Sequence, residues 1–368
     1  IEEDDIVYYP IYSKPLTAWQ KLRRYYGGYK HVDKTAHHSR LQEIIADFAP
    51  DIIHIHGIEN QLANILLLDG LNIPTIVSIQ GLLLPYANTF FPEGFNLSSF
   101  QRPFSINEHI LRNGYCFAYR SMQVRAEHER LLWQKVQNVF GRTAWDKVVA
   151  AVYAPKAKYY HGGEVMRPSF YENVGRHAAK TPTGTIRLCS TISNTVYKGL
   201  DVIMKTAREL SLLGIDYEWK VVGIINSCRI IKYFQRQLGI DISRLNIRFC
   251  GVKTAEELVE ELLQSDIFVH PSYIDNSPNS VSEAQMVGCP VIAHNTGGLP
   301  SLIEHGKTGF LVPTNSVAEI VYYIKQLAET QGLSQSISRA ATAAALHRHD
   351  KNAIINEVIA AYKKIINN

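Results

Sequence analysis

The sequence predicts an α/β protein built from two doubly wound domains. At 368 residues the chain is long enough for two domains of ordinary size, each with its own core. The second half of the chain alternates strand and helix patterns regularly, and the first half does so less tidily. Such alternation is typical of parallel sheets covered by helices on both faces. In these folds the ligand crevice lies at the carboxyl ends of the strands.

The second half supplies the clearest elements. Strands are predicted at 187–192, 220–224, 246–250, 267–270 and 290–293. Helices are predicted at 200–213, 230–238, 254–263 and 316–329, with a further helix around Glu283 and another that begins at Leu299. The helix at 254–263 opens on Thr254, with Glu257 three residues later, which is the pattern of a capping box.

In the first half of the chain, fewer segments show the hydrophobic periodicity of a helix or a strand. Strands are predicted at 51–56, 75–80 and 139–140, and helices at 61–68 and 120–132. Residues 86–107 show no period, which predicts a long loop that covers another part of the molecule. Residues 350–366 place a row of apolar side chains on one face and predict a last amphipathic helix.

Composition excludes several classes of protein. Hydrophobic residues make up 46% of the chain and charged residues 20%, which fits a globular cytosolic enzyme. A net charge of +4 without long basic runs gives no support to a nucleic-acid partner. No apolar stretch is long enough to predict a membrane span. The five cysteines are scattered, so they predict reduced thiols rather than a disulfide framework or a metal site.

A segment near the start of the chain interleaves basic and aromatic residues. Its members are Trp19, Lys21, Arg23, Arg24, Tyr25, Tyr26, Tyr29, Lys30 and Lys34. We interpret the segment as a solvated surface, and a peripheral contact with an anionic membrane is the alternative.

Residues 265–312 carry the most specific pattern of the chain. A strand at 267–270 runs into a turn-rich loop at 271–278, and this loop opens a helix. A second strand at 290–293 is followed by Gly297-Gly298 and another helix start. Strand ends and helix N-termini therefore face one crevice, where unpaired backbone N–H groups and the helix dipole favour a phosphate.

Two carboxylates belong to this crevice. Asp275 lies in the loop and Glu283 in the helix, with seven residues between them. This spacing can present both carboxylates to the hydroxyl groups of one sugar nucleotide. Gly223 and Gly251 end neighbouring strands, where they would let a planar base approach the backbone; ordinary turn glycines are the alternative.

These residues resemble a known family. The segment is similar to the Glu-x7-Glu region of the group 1 (family 4) retaining glycosyltransferases, with Asp275 in place of the first Glu. The run from Glu283 to Val291 matches the pattern that follows in this family, and Lys198 lies in a matching Lys-Gly-Leu-Asp element. One departure is that the family usually places an Arg shortly before this Lys, whereas residues 190–195 contain none.

The resemblance implies the GT-B architecture, in which two Rossmann-like doubly wound domains face a cleft. It assigns residues 1–170 to an acceptor-side domain and residues 171–349 to a nucleotide-sugar-binding domain. The C-terminal helix, residues 350–368, would pack back on the first domain. Members of the family open with a strand and a Gly-rich loop that are not recognisable here, so we expect the first domain to be incomplete at its start.

The resemblance also implies an activity. A sugar would move with retention of configuration from a UDP- or GDP-sugar donor to a saccharide or lipid-linked saccharide acceptor, in surface polysaccharide synthesis. The departing phosphate would help to deprotonate the acceptor hydroxyl, and neither a bound cofactor nor a metal is expected. We expect a cytoplasmic protein, in contact with the inner face of the plasma membrane if the basic segment binds there.

Three residues are expected to carry the chemistry. Lys198 would stabilise the leaving diphosphate, and Asp275 would face the donor sugar. Arg142 lies in a Gly-Arg-Thr-x-Trp-Asp run that resembles an element of polysaccharide-locus transferases, and it would reach across from the first domain as a second cation; a surface ion pair is the alternative. The expected donor-binding residues are Glu283 at the ribose hydroxyls, together with Asn279, Ser280, Ser277, Gly223, Gly251, Val252, Gly297 and Gly298.

Two other functions stay open at this point. A non-catalytic nucleotide-sugar-binding homologue would explain the missing Arg and the Asp at position 275. A sugar-nucleotide epimerase or a phosphorylase of the same architecture is the other alternative. His54 and His56 share one strand face and are interpreted as histidines that lie in the core or support a site. Gln80 stands where members of the resembled family often carry His, so the resemblance implies that it binds a sugar hydroxyl.

Overall fold

The computed structural model describes residues 2–3, 6–11, 17, 34–59, 61–68, 72–100, 114–178 and 184–367. Within this part of the chain, two separate parallel sheets and one short antiparallel pair are formed. The strands are β1 Glu2–Glu3, β2 Ile6–Val7, β3 Ile53–His56, β4 Thr75–Ser78, β5 Asn138–Gly141, β6 Lys158–His161, β7 Ile186–Thr191, β8 Tyr217–Val222, β9 Ile247–Gly251, β10 Ile267–His270, β11 Val291–His294 and β12 Phe310–Val312.

Helices connect these strands. They are α1 Lys34–Phe48, α2 Gln61–Leu68, α3 Leu83–Asn88, α4 Tyr115–Trp133, α5 Ala144–Tyr153, α6 Pro168–Glu172, α7 Leu200–Leu212, α8 Arg229–Leu238, α9 Ala255–Gln264, α10 Asn279–Val287, α11 Leu299–Leu302, α12 Val317–Glu329, α13 Leu333–Arg348 and α14 Lys351–Ile366. Short 3-10 turns occur at Leu97–Phe100, Val196–Lys198 and Ile242–Arg244. None of the described helices is long and apolar enough to cross a membrane.

The second sheet is the larger one. Its strand order is β12-β11-β10-β7-β8-β9, and every pairing is parallel. Helices α7, α8 and α12 cover one face, while α9 and α10 cover the other. Because side chains alternate along a strand, Val269 of β10 packs into the first layer and its neighbour Phe268 into the second. The predicted doubly wound sheet is confirmed.

The first sheet has the order β3-β4-β5-β6, also parallel throughout. Helices α2, α4 and α5 cover one face. On the other face the last helix, α14, buries Ala361 and Ile365 against Ile76 and Phe140 of the sheet. The C-terminal helix therefore lies on the first sheet although the chain before it belongs to the second.

The chain crosses between the two sheets twice, and the crossings contact each other. The first crossing is residues 162–172, which we call the linker, and the second lies between α13 and α14. Nδ1 of His349 lies 2.8 Å from the carbonyl oxygen of Glu164. The Tyr171 hydroxyl donates to the carbonyl oxygen of His349 at 2.6 Å. These bonds join the two crossings into one connection.

The predicted loop at 86–107 contains more structure than we expected. Its first residues belong to α3, and a 3-10 turn occurs at Leu97–Phe100. Helix α3 has only six residues, which is too short for a helical period to show in the sequence. Residues 101–113 lie outside the described part of the chain, as does the basic and aromatic segment at 19–30.

Residues 90–100 join the two domains through aromatic side chains. We call this group the aromatic clasp, and its members are Phe90, Phe91, Phe95 and Phe100 of the first domain with Tyr233 and Phe234 of α8. The rings of Phe100 and Tyr233 stack with centroids 4.2 Å apart. The Tyr233 hydroxyl also donates to the carbonyl oxygen of Ser99 at 2.7 Å. The segment therefore covers part of the second domain, as its lack of period led us to expect.

Candidate active site

A cavity of about 680 Å³ lies between the two domains, at the carboxyl ends of β7, β8 and β10. The first domain lines it with Glu59, Gln80, Gly81, Leu82, Leu83, Tyr86, Met122 and Arg142. The second domain contributes Thr191, Ile192, Ser193, Tyr197, Lys198, Gly223, Val252, His270 and residues 275–280. This is the position at which open parallel sheets bind ligands.

The structure brings most of the predicted site residues to this cavity. Those that line it are Lys198, Asp275, Arg142, Asn279, Ser280, Ser277, Gly223 and Val252. Glu283, Gly251, Gly297 and Gly298 are not among the lining residues. Gln80, which we expected to bind a sugar hydroxyl, lines the wall of the first domain.

Lys198 is placed by the turn that precedes α7. It ends the 3-10 turn Val196–Lys198, and Gly199 follows with a positive φ of 80°. A Cβ on Gly199 would lie 2.1 Å from the carbonyl oxygen of Pro271, so only glycine lets this turn pack against the loop after β10. The Lys198 ammonium donates to Oδ2 of Asp275 at 2.6 Å. The two expected catalytic residues of the second domain thus form an ion pair.

Asp275 is buried and held by two neighbours. Burial alone would raise its pKa, but Lys198 and His270 outweigh burial and hold the pKa of Asp275 well below its ordinary value. Nε2 of His270 lies 3.4 Å from Oδ2 of Asp275. Burial lowers the pKa of His270 itself, so this imidazole is neutral near pH 7. Asp275 therefore faces the cavity as a charged carboxylate.

Gly297 and Gly298 support the loop that carries Asp275. The backbone N–H of Gly298 donates to the carbonyl oxygen of Asp275 at 3.0 Å. A Cβ on Gly297 would lie 1.9 Å from that oxygen, and one on Gly298 would lie 1.6 Å from the carbonyl oxygen of Asn276. We expected these glycines to approach the donor; in the structure they approach this loop, and a donor contact stays a prediction.

Glu283 lies inside α10 and is paired with the linker. Arg167 donates to its Oε1 from Nε at 3.0 Å and from Nη2 at 2.7 Å. Burial raises the pKa of Glu283, and the charge of Arg167 opposes this rise. The expected contact with ribose stays a prediction, because the carboxylate is not part of the cavity lining.

Arg142 follows β5 and lines the cavity from the first domain. The Asp146 carboxylate accepts from the backbone N–H groups of Arg142 and Thr143, at 2.9 Å and 3.1 Å, and thereby caps α5. The Arg142 guanidinium pairs with Glu164 of the linker, whose other oxygen accepts from Asn279 of α10 at 3.1 Å. Arg142 is thus in a partly buried ion pair that also belongs to the cavity wall.

Sequence analysis missed three side chains of the site. The Tyr86 hydroxyl lies 3.4 Å from Oδ1 of Asp275, and the Glu59 carboxyl lines the wall of the first domain, where burial raises its pKa. Neither residue has a signal in the sequence, because Tyr86 lies in a helix of only six residues and Glu59 in a turn. His270 could have been found, since it is the last residue of β10, directly before the loop that forms the site.

His54 has a structural role, as we expected, but His56 on the same strand is exposed and does not lie in the core. Its Nδ1 lies 2.5 Å from the Tyr362 hydroxyl of α14, and its Nε2 lies 2.6 Å from Oγ of Ser78. Burial lowers the pKa of His54 to about 4. A second cavity of about 390 Å³ lies between this strand and α14, and it shares Gln80 and Arg142 with the first cavity.

Comparison with known proteins identifies the domain that carries the site. Residues 183–344 match the family described as Glycosyl transferases group 1. The second domain is therefore similar to the group 1 glycosyl transferases. The family resemblance of the sequence is thereby confirmed, and the matched range includes both Lys198 and Asp275.

Two relatives of this chain are named for polysaccharide biosynthesis. The chain is 28% identical over 170 residues to WcaL of Escherichia coli, a glycosyltransferase named for colanic acid biosynthesis, covering 44% of this chain and 41% of that protein. It is 26% identical over 195 residues to the amylovoran biosynthesis glycosyltransferase AmsK of Erwinia amylovora, covering 50% and 46%. These matches span less than half the length of the relatives.

Solved structures confirm the two-domain GT-B fold. Sucrose-phosphate synthase from Thermosynechococcus elongatus superposes with a TM-score of 0.68 at 14% identity, covering 90% of this chain and 77% of that one. HepE from Anabaena, in complex with UDP and glucose, superposes with a TM-score of 0.61 at 16% identity, covering 88% and 81%. At such identities the likeness concerns the fold.

Proposed function

We propose that the protein is a retaining glycosyltransferase. It moves a sugar from a nucleoside-diphosphate sugar to a saccharide or lipid-linked saccharide acceptor in surface polysaccharide synthesis. The observation that carries the proposal is the Lys198–Asp275 ion pair at the strand ends of a domain similar to the group 1 glycosyl transferases. The names of WcaL and AmsK support the role in polysaccharide synthesis.

The donor binds on the wall of the second domain. Ser277, Asn279 and Ser280 surround the N-terminus of α10, where backbone N–H groups and the helix dipole favour the diphosphate. Asp275 accepts hydrogen bonds from the hydroxyls of the transferred sugar, and Glu283 accepts from the ribose. A structural neighbour crystallised with UDP and glucose supports a uridine donor, while a guanosine donor stays open.

Charge development on the leaving group explains the two cations of the cavity. As the bond between the anomeric carbon and the phosphate oxygen breaks, negative charge grows on the diphosphate. Lys198 stabilises this charge from one wall and Arg142 from the other. The acceptor oxygen bonds to the anomeric carbon on the same face, and its proton passes to the departing phosphate.

The acceptor approaches from the first domain, where Gln80, Tyr86 and Glu59 offer polar groups to its hydroxyls. Such a reaction belongs in the cytoplasm, where nucleotide sugars are available. The basic and aromatic segment at 19–30 would hold the protein at the inner face of the membrane, close to a lipid-linked acceptor.

Three measurements test this function in sequence. A thermal-shift screen with UDP and GDP should raise the melting temperature with one base, and incubation with the matching nucleotide sugar should release its diphosphate. NMR of the product should show the anomeric configuration of the donor. A nucleotide that binds without any release or transfer would favour a non-catalytic homologue, and no binding of either nucleotide contradicts the proposal.

The proposal also predicts turnover without a divalent metal. Activity measured in excess chelator should equal activity in added magnesium or manganese, because the two cationic side chains take the place of a metal at the diphosphate. Activity that disappears in chelator and returns with metal contradicts this part of the proposal.

A further inference from the structure

Helix α10 is bonded to the connection between the domains at three points. Asn279 donates to Glu164 of the linker at 3.1 Å, and Glu283 accepts from Arg167 of the linker. Two residues further along the helix, Gln285 accepts from Arg348, the last residue before the second crossing, at 2.6 Å. Helix α10, which is proposed to bind the donor, is thus bonded to residues at the junction of the two domains.

The pair of Arg167 and Glu283 has a specific geometry. Both hydrogen bonds from the guanidinium end on Oε1, and among the described residues no donor reaches Oε2. The Arg167 guanidinium also lies over the ring of Phe170, 5.0 Å from its centroid, which restricts its position. One oxygen of a buried carboxylate is therefore fixed, and the other has no donor among the described residues.

We propose that Arg167 is a positioning residue for the donor nucleotide, because it fixes Glu283 through Oε1 and leaves Oε2 to accept hydrogen bonds from the ribose hydroxyls. This inference rests on the proposed function. Arg167 does not touch the donor; it acts through the carboxylate. Because it belongs to the linker, one ion pair then connects nucleotide binding to the junction of the domains.

The role has a consequence for pH dependence. Burial raises the pKa of Glu283 and Arg167 opposes this, so loss of Arg167 moves that pKa further up. A protonated carboxyl group accepts hydrogen bonds poorly, so nucleotide affinity without Arg167 should fall as the pH decreases.

The other charged groups near Glu283 have partners of their own and do not pair with it. Glu256 of α9 accepts from the Ser169 hydroxyl at 2.5 Å, Glu164 pairs with Arg142, and Arg348 donates to Gln285. Arg167 is the one charged group among the causes that shift the pKa of Glu283. The titration of Glu283 should therefore depend on Arg167 above all.

The chain offers a matched control at the opposite end of the same sheet. Arg187 donates to Asp266 from Nη2 at 2.8 Å. The Arg187 side chain is 45% exposed and the Asp266 side chain 6%. The pair of Arg167 and Glu283 has the same exposed fractions, 45% and 6%, and a 2.7 Å bond. Arg187 lies at the start of β7, whereas the cavity lies at the strand ends. Arg167→Gln and Arg187→Gln should therefore lower the free energy of unfolding by similar amounts.

The test is calorimetric titration of UDP and GDP into four variants between pH 5.5 and pH 8. For the nucleotide that the wild type binds, Arg167→Gln should weaken affinity about tenfold at pH 8 and further as the pH decreases. Arg167→Lys should restore part of the affinity, and Arg187→Gln should match the wild type. Glu283→Gln should lose affinity by the same factor at every pH, because no carboxyl group is left to titrate; the ionisation of the nucleotide itself is common to all variants.

Each other outcome has a defined meaning. Equal affinities for Arg167→Gln and Arg187→Gln at all pH values overturn the inference, and so does a loss for Arg167→Gln that does not change with pH, which would indicate direct contact with the ligand. Wild-type affinity in Glu283→Gln overturns the inference while leaving the glycosyltransferase proposal in place. A wild-type protein that binds neither nucleotide overturns the proposed function first.

Discussion

The two walls of the cleft are built differently. On the wall of the second domain, Lys198, His270 and Asp275 contact one another, and all three belong to that domain. On the wall of the first domain, Arg142 pairs with the linker, and the Tyr86 hydroxyl reaches across to Asp275. The Lys198–Asp275 pair is therefore held within its own domain, whereas Arg142 depends on a contact with the linker. Helix α10 of the second domain depends on the linker as well.

This difference separates two tasks in the proposed reaction. A wall whose charges are fixed within one domain can bind a donor before the domains close, since it needs no reorganisation. A wall that is ordered by contacts across the junction is suited to act once the domains are together. Substitutions on the two walls should therefore have different effects on nucleotide affinity and on turnover.

The largest expected effect is that of Lys198→Ala. Loss of the ammonium should lower turnover by about 100- to 1,000-fold, as for other groups aimed at developing negative charge. Nucleotide affinity should fall by a smaller factor, because charge on the leaving group grows in the transition state. The measurement is steady-state kinetics with the identified nucleotide sugar.

Lys220 provides the control for this substitution. Its ammonium donates to Glu261 at 2.7 Å, and its side chain is 20% exposed, against 21% for Lys198. Lys220→Ala should keep wild-type turnover. Equal losses in the two variants would show that the effect of Lys198→Ala arises from stability and not from charge in the cavity.

A substitution in the aromatic clasp tests the contact between the domains without changing a residue of either wall. Phe100→Ala removes a buried ring that stacks on Tyr233, and we expect the unfolding free energy to fall by about 3 kcal/mol. Phe48→Ala, at a ring that is 58% exposed, should have little effect. Thermal unfolding measures both changes, and equal midpoints for the two variants would contradict a stabilising role for the clasp.

Arg142→Lys tests the wall of the first domain and should affect turnover more than nucleotide affinity. Turnover should fall about tenfold, because lysine keeps the charge but lacks the planar fork of the guanidinium. Affinity for the nucleoside diphosphate should stay close to that of the wild type. If affinity falls as much as turnover, Arg142 contributes to ground-state binding and the division of tasks between the walls is wrong.

The second domain could be predicted closely from the sequence. Strand β10 begins and ends as predicted, and the predicted capping box of Thr254 and Glu257 is present at α9. Buried parallel strands read as short apolar runs, and helix starts carry their own polar signals, so both are local properties. Strand β6 was missed because it lies at an edge of its sheet with both end residues exposed, and β12 because it has only three residues.

Contacts between the domains could not be predicted in this way. The bond from Arg167 to Glu283 joins residues 116 positions apart, and that from Tyr86 to Asp275 joins residues 189 positions apart. No periodicity or spacing encodes such pairs, because they depend on how the two sheets are oriented. The motif around Asp275 located the site, but its partners became visible only in the folded chain.

The smallest expected effect is that of Tyr86→Phe. The Tyr86 hydroxyl lies 3.4 Å from oxygens of both Asp275 and Asn276, which is long for a hydrogen bond from a hydroxyl group. Its ring packs edge-on against Tyr197 with centroids 5.4 Å apart, and phenylalanine keeps this contact. We therefore expect turnover and nucleotide affinity within about threefold of the wild type, which corresponds to less than about 0.7 kcal/mol.

Tyr86→Ala extends this test, because it removes the ring as well as the hydroxyl. If the ring helps to hold the first-domain wall against Tyr197, this variant should lower turnover clearly more than Tyr86→Phe while leaving nucleotide affinity in place. A large loss already in Tyr86→Phe would mean that the hydroxyl contacts the substrate or shortens its bond to Asp275 on closure. In that case the Lys198–Asp275 pair would depend on the first domain as well, and the contrast between the two walls would not hold.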